Sequence, residues 1–309
     1  MKEKLQRIIN IISFSKWALV SSVLIFILIF NYLFSVEIRI TPNNKIKGNP
    51  LNSANQSSDK PQQVIEQRIP QEVKLPIKWA DLGKKLTETG VIDNKKFAEV
   101  MGSLSASDQK LLEGTDNSEI VMNQSNSRLV LNLLWAFGLA NKNDVLDIGE
   151  MKQNPSQTGN MASTGGWTIS KGSAMNHYSM HNFVSLTSDQ QKMVEEMSKN
   201  IYRPCCNNST HFPDCNHGMA MLGLLELMAA NNVSEQEAYK VALNVNALWF
   251  PQQYQELAVY FSENGKNWNQ INAKEALGIN YSSASGYKQM RAQIKSLPQP
   301  AQGGGGCGV

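Results

Sequence analysis

The spacing of hydrophobic and polar residues first predicts a membrane segment near the amino terminus. Residues 17–36 carry no charged side chain, and at about 1.5 Å per helical residue these twenty residues span roughly 30 Å, the thickness of a bilayer core. A cleaved signal peptide would have a shorter apolar stretch and would end in a small-x-small site. The sequence therefore predicts an uncleaved signal-anchor helix over 17–36 and a single-pass membrane protein.

Polar segments flank this predicted anchor. Residues 1–16 contain four lysines or arginines, and short basic amino-terminal tails usually stay in the cytoplasm. Residues 37–76 contain five of the eleven prolines and no apolar periodicity, a composition typical of flexible tethers. We therefore expect a cytoplasmic tail at 1–16, a flexible linker at 37–76 and an extracytoplasmic domain beyond it.

Helical spacing dominates the remainder of the chain, beginning with a segment at 77–151. Asp93 is a candidate helix N-cap, and Gly102 is a helix stop signal. Residues 126–140 are apolar on most faces of a helix, which is typical of a buried helix. These signals predict a helical subdomain over 77–151.

A second helical domain is predicted over 160–296. Thr187 and Asn216 are placed to cap helices, and Pro251 suits the first turn of another helix. The short segment "WTIS" at 167–170 is a candidate strand. The predicted fold class is all-α, a compact multi-helix domain of one or two helical subdomains with at most a small strand pair near Trp167.

Composition excludes some functions without selecting one. A hydrophobic fraction of 41% is enough for a sizeable core. The net charge is only +3, and the basic residues form no long run, so we expect no nucleic-acid partner. The residues indicate no hydrolase, since no set of Ser, His and Asp has local support.

Potential metal ligands are concentrated in one part of the chain, which spans 41 residues. They are His177, His181, Cys205, Cys206, His211, Cys215 and His217. Thiolate and imidazole are preferred ligands of zinc and copper, and a tetrahedral site uses four donors. A helix would bring His177 and His181 to one face because they are four residues apart. The sequence therefore predicts a site for copper or zinc, and a protein of metal handling or sensing.

Two other interpretations use the same cysteines. Cys215 precedes a predicted helix whose N–H groups and dipole favour a thiolate. One alternative is therefore a thiol-disulfide oxidoreductase in which Cys215 attacks, Cys205 or Cys206 resolves and a mobile Cys307 acts as a shuttle. The other is a disulfide-stapled interaction module, because four cysteines outside the cytoplasm can pair.

The motifs do not choose among these interpretations. The chain contains no C-x-x-C pair and no zinc-finger spacing. A haem held without covalent attachment also stays open. Cys307 lies in a predicted flexible, glycine-rich tail at 297–309, where a mobile thiol can reach the cluster. The sequence does not decide whether the protein is an enzyme.

Overall fold

The computed structural model describes residues 69–114 and 119–297, and these residues are mostly helical. In chain order the elements are β1 (Glu72–Leu75), α1 (Leu82–Glu88), α2 (Asn94–Met101), α3 (Ala106–Glu113), β2 (Ile120–Asn123), α4 (Ser127–Ala140), α5 (Asp144–Asp147), α6 (Pro155–Thr158), α7 (Ser188–Asn200), α8 (Asn216–Ala230), α9 (Glu235–Trp249), α10 (Pro251–Glu263), α11 (Ala273–Ala276), α12 (Ile279–Ser282) and α13 (Ala284–Arg291), with 3₁₀ turns at Glu150–Gln153, Ala174–Asn176 and Trp268–Gln270. The prediction of a mostly helical fold with one small strand pair is confirmed for this part of the chain.

The strand pair does not lie near Trp167, so that part of the prediction is wrong. Strands β1 and β2 are antiparallel, with Leu75 opposite Ile120. Residues 167–170 instead form turns. They make single hydrogen bonds to the turn between α1 and α2, such as the one that the Trp167 indole N–H donates to the Val91 carbonyl at 2.9 Å. Strand β1 lies at the end of the segment 37–76, so ordered structure begins before the predicted end of the linker.

Most of the predicted helix starts are correct, with one informative exception. Asp93 accepts hydrogen bonds from the backbone of Lys95 and Lys96, as an N-cap does. Thr187 caps α7, and Pro251 occupies the first turn of α10. The predicted cap at Asn216 is wrong, because α8 begins at Asn216 and the capping side chain belongs to Cys215. A sulphur atom therefore occupies a position where an oxygen acceptor is usual.

No described helix is both long and apolar enough to cross a membrane. The predicted cytoplasmic tail and signal-anchor lie outside the described residues, as does Cys307.

Helices α4 and α8 form the centre of the core. The residues 129–140 of α4 and 216–229 of α8 are buried. The two helices approach closely where Gly138 faces Gly223. A Cβ atom on Gly138 would lie 2.9 Å from the Gly223 nitrogen, and one on Gly223 would lie 2.6 Å from the Leu134 carbonyl oxygen. The α4–α8 crossing therefore requires glycine at both positions.

Gly138→Ala is expected to destabilise the fold by roughly 1–3 kcal/mol, the usual cost of overpacking a core. The added methyl group meets backbone atoms that cannot rotate away. The measurement is the free energy of unfolding in urea. Gly159→Ala is the matched control, because its added Cβ would make only an ordinary contact, 3.4 Å from Met175 Cγ. Equal stability of the two variants would contradict the close crossing.

A buried carboxyl group lies in the second half of α8. Glu226 is fully buried, and its Oε2 accepts a hydrogen bond from the Asn141 amide at 2.6 Å. Its Oε1 and the Asn143 Nδ2 have no hydrogen-bond partner among the described residues. Burial raises the pKa of Glu226 well above its usual value, although the hydrogen bond from Asn141 opposes the shift. Glu226 therefore favours its neutral form in the folded chain.

Glu226→Gln is expected to reduce the loss of stability as pH rises. Because folding raises the pKa of Glu226, the contribution of its neutral carboxyl group to stability is complete below the pKa of glutamate in the unfolded chain, about 4.3. This contribution is lost as the pH rises through the pKa of Glu226 in the folded chain. Glutamine stays neutral, so the variant should gain stability relative to wild type between pH 5 and 8. Thermal unfolding across that range measures the effect. The exposed Glu99→Gln is the control, and identical pH profiles for all three proteins would contradict the assignment.

Candidate metal and thiol site

The loop 201–215, which joins α7 to α8, brings the three described cysteines together. Backbone hydrogen bonds close the loop on itself, since the Thr210 amide donates to the Ile201 carbonyl at 2.8 Å. The loop is also held by the carboxyl-terminal helices, because the Ala284 amide donates to the Cys206 carbonyl at 2.8 Å. This fold places Cys205 and Cys206 beside the start of α8.

Cys215 is the residue at the centre of this site. Its side chain is nearly buried and forms the N-cap of α8, where its Sγ accepts the Gly218 N–H at 3.4 Å. A second donor is Arg203, whose Nε lies 3.1 Å from the same sulphur. The Cys205 Sγ lies 3.7 Å from the Cys215 Sγ. Cys215 is therefore surrounded by groups that stabilise a negative sulphur.

Arg203 is only 1% exposed and organises the loop around Cys215. Its Nη1 donates to the Asn208 carbonyl at 3.0 Å. Its Nη2 donates to the Phe212 carbonyl at 3.3 Å and to Asp214 Oδ1 at 2.6 Å. One guanidinium thus joins a thiol, a carboxylate and two backbone carbonyls, as its planar fork of donors allows.

Glycine at position 218 makes room for this arginine. A Cβ atom there would lie 2.5 Å from Arg203 Cζ, far inside ordinary contact. The first turn of α8 therefore lies directly against the guanidinium, and Gly218 supplies both the space and an N–H donor to Cys215.

The pKa values of Cys215 and its neighbour Cys206 are shifted in opposite directions. Hydrogen bonds from Cys205 and Cys206 lower the pKa of Cys215 well below its usual value, outweighing the effect of burial, and the charge of Arg203 contributes further. For Cys206, a hydrogen bond with Cys205 lowers the pKa, but the bond to Cys215 and burial outweigh it, so the pKa of Cys206 is raised. The surroundings of Cys215 therefore favour a thiolate, whereas those of Cys206 favour the protonated thiol.

His217 completes one possible set of metal ligands. It is buried in the first turn of α8, with its ring 4.4 Å from that of Phe250 and 5.6 Å from that of Trp249 between centroids. Ligand atoms of Cys205, Cys215 and His217 all lie within 4.8 Å of one another. These three residues are thus close enough to hold one metal ion.

Cys206, Asp214 and Cys215 form a second such group. Both carboxylate oxygens of Asp214 are already used, since Oδ1 accepts from Arg203 and Oδ2 accepts from Asn208 Nδ2 at 2.8 Å. A metal ligated by Asp214 would compete with the contacts that hold the loop. The set containing His217 is therefore the better donor set.

The other three histidines do not belong to either ligand group. His177 Nδ1 and His181 Nε2 are 3.1 Å apart, but residues 174–176 form a 3₁₀ turn rather than the α-helix that would have paired these rings by periodicity. His177 Nε2 lies 3.2 Å from the Lys171 carbonyl and is the donor of that contact, since a carbonyl oxygen only accepts. His211 Nδ1 contacts Glu150 Oε1 at 2.9 Å. None of these three histidines belongs to a group of three potential ligands among the described residues.

The structure also adds residues that the sequence pattern did not single out. Arg203 and Asp214 lie beside the cysteines in the sequence, and their opposite charges were the available signal. Among the described cysteines no disulfide bond is present.

Comparison with known proteins does not assign this site: no family model, curated protein or solved structure matches the chain.

Proposed function

We propose that this protein binds one transition-metal ion, zinc or copper, through Cys205, Cys215 and His217. The observation that carries the proposal is the convergence of two sulphurs and an imidazole within 4.8 Å in a largely buried site. Two thiolates and an imidazole are a donor set suited to either ion.

The distance between the sulphurs favours tetrahedral coordination. Two thiolates bound at about 2.3 Å to a tetrahedral ion lie about 3.8 Å apart, whereas a linear arrangement at the same bond length separates them by about 4.6 Å. The observed Cys205–Cys215 separation is 3.7 Å. Tetrahedral zinc therefore fits with little movement, while linear copper(I) would require the sulphurs to separate.

Three protein ligands leave one position of a tetrahedron open, as in exchangeable and catalytic zinc sites rather than closed structural ones. Cys205 is half-buried, so the site has a side that faces solvent. Both features suit a protein that exchanges or senses a metal. We further propose that the predicted anchor at 17–36 holds this domain at the outer face of a membrane.

The metal content of the full chain tests the proposal. The protein, purified in detergent without a chelator, is expected to contain near-stoichiometric zinc or copper by elemental mass spectrometry. His217→Ala should lose this metal, because the imidazole is one of only three ligands. The His177→Ala, His181→Ala double variant should retain it, since neither histidine belongs to the three-ligand group.

Two outcomes would contradict this assignment. If the His177→Ala, His181→Ala double variant loses the metal and His217→Ala retains it, the metal is bound by His177 and His181 instead. A wild-type chain that binds neither ion, even after the reduced protein is incubated with each metal, would exclude a metal-binding function at this cluster.

A further inference from the structure

The two sulphurs of the proposed metal site are also placed to react with each other. Cys205 Sγ and Cys215 Sγ are 3.7 Å apart, and a disulfide requires about 2.05 Å. An approach of about 1.6 Å therefore closes the bond, a distance within reach of side-chain rotation in a loop. Both residues belong to the loop 201–215, so the bond would close a short ring.

The environments of the two thiols are unequal. Cys215 Sγ receives one N–H from Arg203 and one from the first turn of α8, which are the surroundings of a nucleophilic thiolate. Cys205 is half-buried and more accessible than Cys215. Cys206 Sγ also lies within 4.8 Å of Cys215 Sγ, but its thiol donates to the Asn208 carbonyl at 3.9 Å. This arrangement gives Cys215 the role of attacking sulphur and Cys205 that of resolving sulphur.

We propose that Cys215 and Cys205 reduce small hydroperoxides by forming a disulfide, and that this reaction releases the metal. The Cys215 thiolate attacks one peroxide oxygen, the O–O bond breaks, and the leaving oxygen takes a proton to give water or an alcohol. The resulting sulfenic acid at Cys215 is attacked by the Cys205 thiol, which forms the S–S bond and expels water. Two thiols thus supply the two electrons that the peroxide accepts.

Access to the site limits the oxidant to a small molecule. Cys215 is only 9% exposed, so the disulfide of a folded protein partner cannot approach its sulphur in line. Hydrogen peroxide and small organic hydroperoxides are compact enough to reach it. The N–H groups of Arg203 and Gly218 point at the Cys215 sulphur, and they stabilise the thiolate, which is the reactive form of cysteine.

The same contacts make the disulfide easy to reduce. Hydrogen bonds from Arg203 and Gly218 stabilise a negative Cys215 sulphur, and a neutral disulfide loses much of that stabilisation. A stabilised reduced form raises the reduction potential of a disulfide. An external thiol can therefore return the pair to its reduced state, as a reversible sensor requires.

Metal release follows from the chemistry of the ligands and rests on the proposed function. A disulfide removes both thiolates from the ion and leaves His217 alone. One neutral imidazole does not hold zinc against competition from a chelator. Peroxide would thus convert a loaded, reduced protein into an empty, oxidised one.

The test uses the full chain in a Cys307→Ser background, so that three thiols remain. The reduced protein is treated with one equivalent of hydrogen peroxide, and free thiols are counted. Cleavage after Lys199 and Lys240 and before Asp214 then separates Cys205 and Cys206 from Cys215. We expect two of the three thiols to be lost and the two peptides to be joined.

Two matched variants identify the partner of Cys215. Cys206→Ser should form the same cross-link at the wild-type rate. Cys205→Ser should accumulate a sulfenic acid at Cys215, which dimedone traps. A cross-link that forms as fast in Cys205→Ser as in wild type would overturn the assignment, and so would a wild-type chain that loses no thiols.

Zinc-loaded protein separates this inference from the proposed function. Peroxide should release zinc to a chromogenic chelator at the same rate as thiols are lost. If the reduced chain binds no metal but the cross-link forms, the metal function fails and the peroxide chemistry survives. If metal binds and stays bound while no disulfide forms, the peroxide chemistry fails alone.

Discussion

Replacing Cys215 with serine is expected to abolish stoichiometric metal binding. Cys215 is the residue shared by both potential ligand groups, and its pKa is lowered, so a cation displaces its proton more readily than the proton of an ordinary thiol. Changes around a metal ligand typically cost about 10–100-fold in affinity, and loss of the ligand itself should cost more. Competition titration of the reduced chain with zinc and a chromogenic chelator measures the affinity.

Cys206→Ser is the matched control for this prediction. Cys206 is adjacent to Cys205, is also half-buried and has a raised pKa. It belongs only to the group whose carboxylate is occupied by Arg203 and Asn208. Its variant should bind zinc with near wild-type affinity. An equal loss in both variants would show that the ion is held by Cys206 and Asp214.

Arg203→Met is expected to produce the largest loss of stability of any single substitution in the loop. Removing the guanidinium leaves Asp214 Oδ1 and two backbone carbonyls without their arginine donor, while Asp214 Oδ2 keeps its contact with Asn208. Breaking a buried ion pair by removing one partner typically costs about 3–5 kcal/mol. The free energy of unfolding in urea measures this loss, and metal affinity should fall with it because the loop positions Cys205 and Cys215.

Two further variants make this prediction specific. Arg203→Lys keeps the charge but cannot form the fork of hydrogen bonds, so its stability should fall between wild type and Arg203→Met. Arg128→Met removes an exposed arginine and should change stability by less than about 0.5 kcal/mol. A similar small change for Arg203→Met would contradict its role in holding the loop.

The helical fold could be predicted from the sequence because local signals determine most of it. Asp93 and Thr187 cap helices with their own side chains, and apolar residues cover α4 on most faces. The position of the strand pair could not be predicted, because β1 and β2 are four residues each and lie far apart in the chain. Pairing of that kind depends on contacts that a local pattern does not contain.

The candidate site was partly predictable for a similar reason. Cys205, Cys206, Cys215 and His217 lie within thirteen residues, and the loop brings them together. His177 and His181 meet each other through a turn, and His211 pairs with Glu150, which no spacing rule indicates. Arg203 was missed because its contact with Cys215 depends on how the loop closes around Gly218.

The most direct test of the central claim is X-ray absorption spectroscopy of the reduced, metal-loaded full chain. For zinc bound by Cys205, Cys215 and His217, we expect two sulphur neighbours at about 2.3 Å and a histidine nitrogen at about 2.0 Å. The sulphur contribution should weaken in Cys205→Ser and should be unchanged in Cys206→Ser. A coordination shell made only of nitrogen and oxygen would contradict the account, because the metal would then be bound away from Cys205 and Cys215.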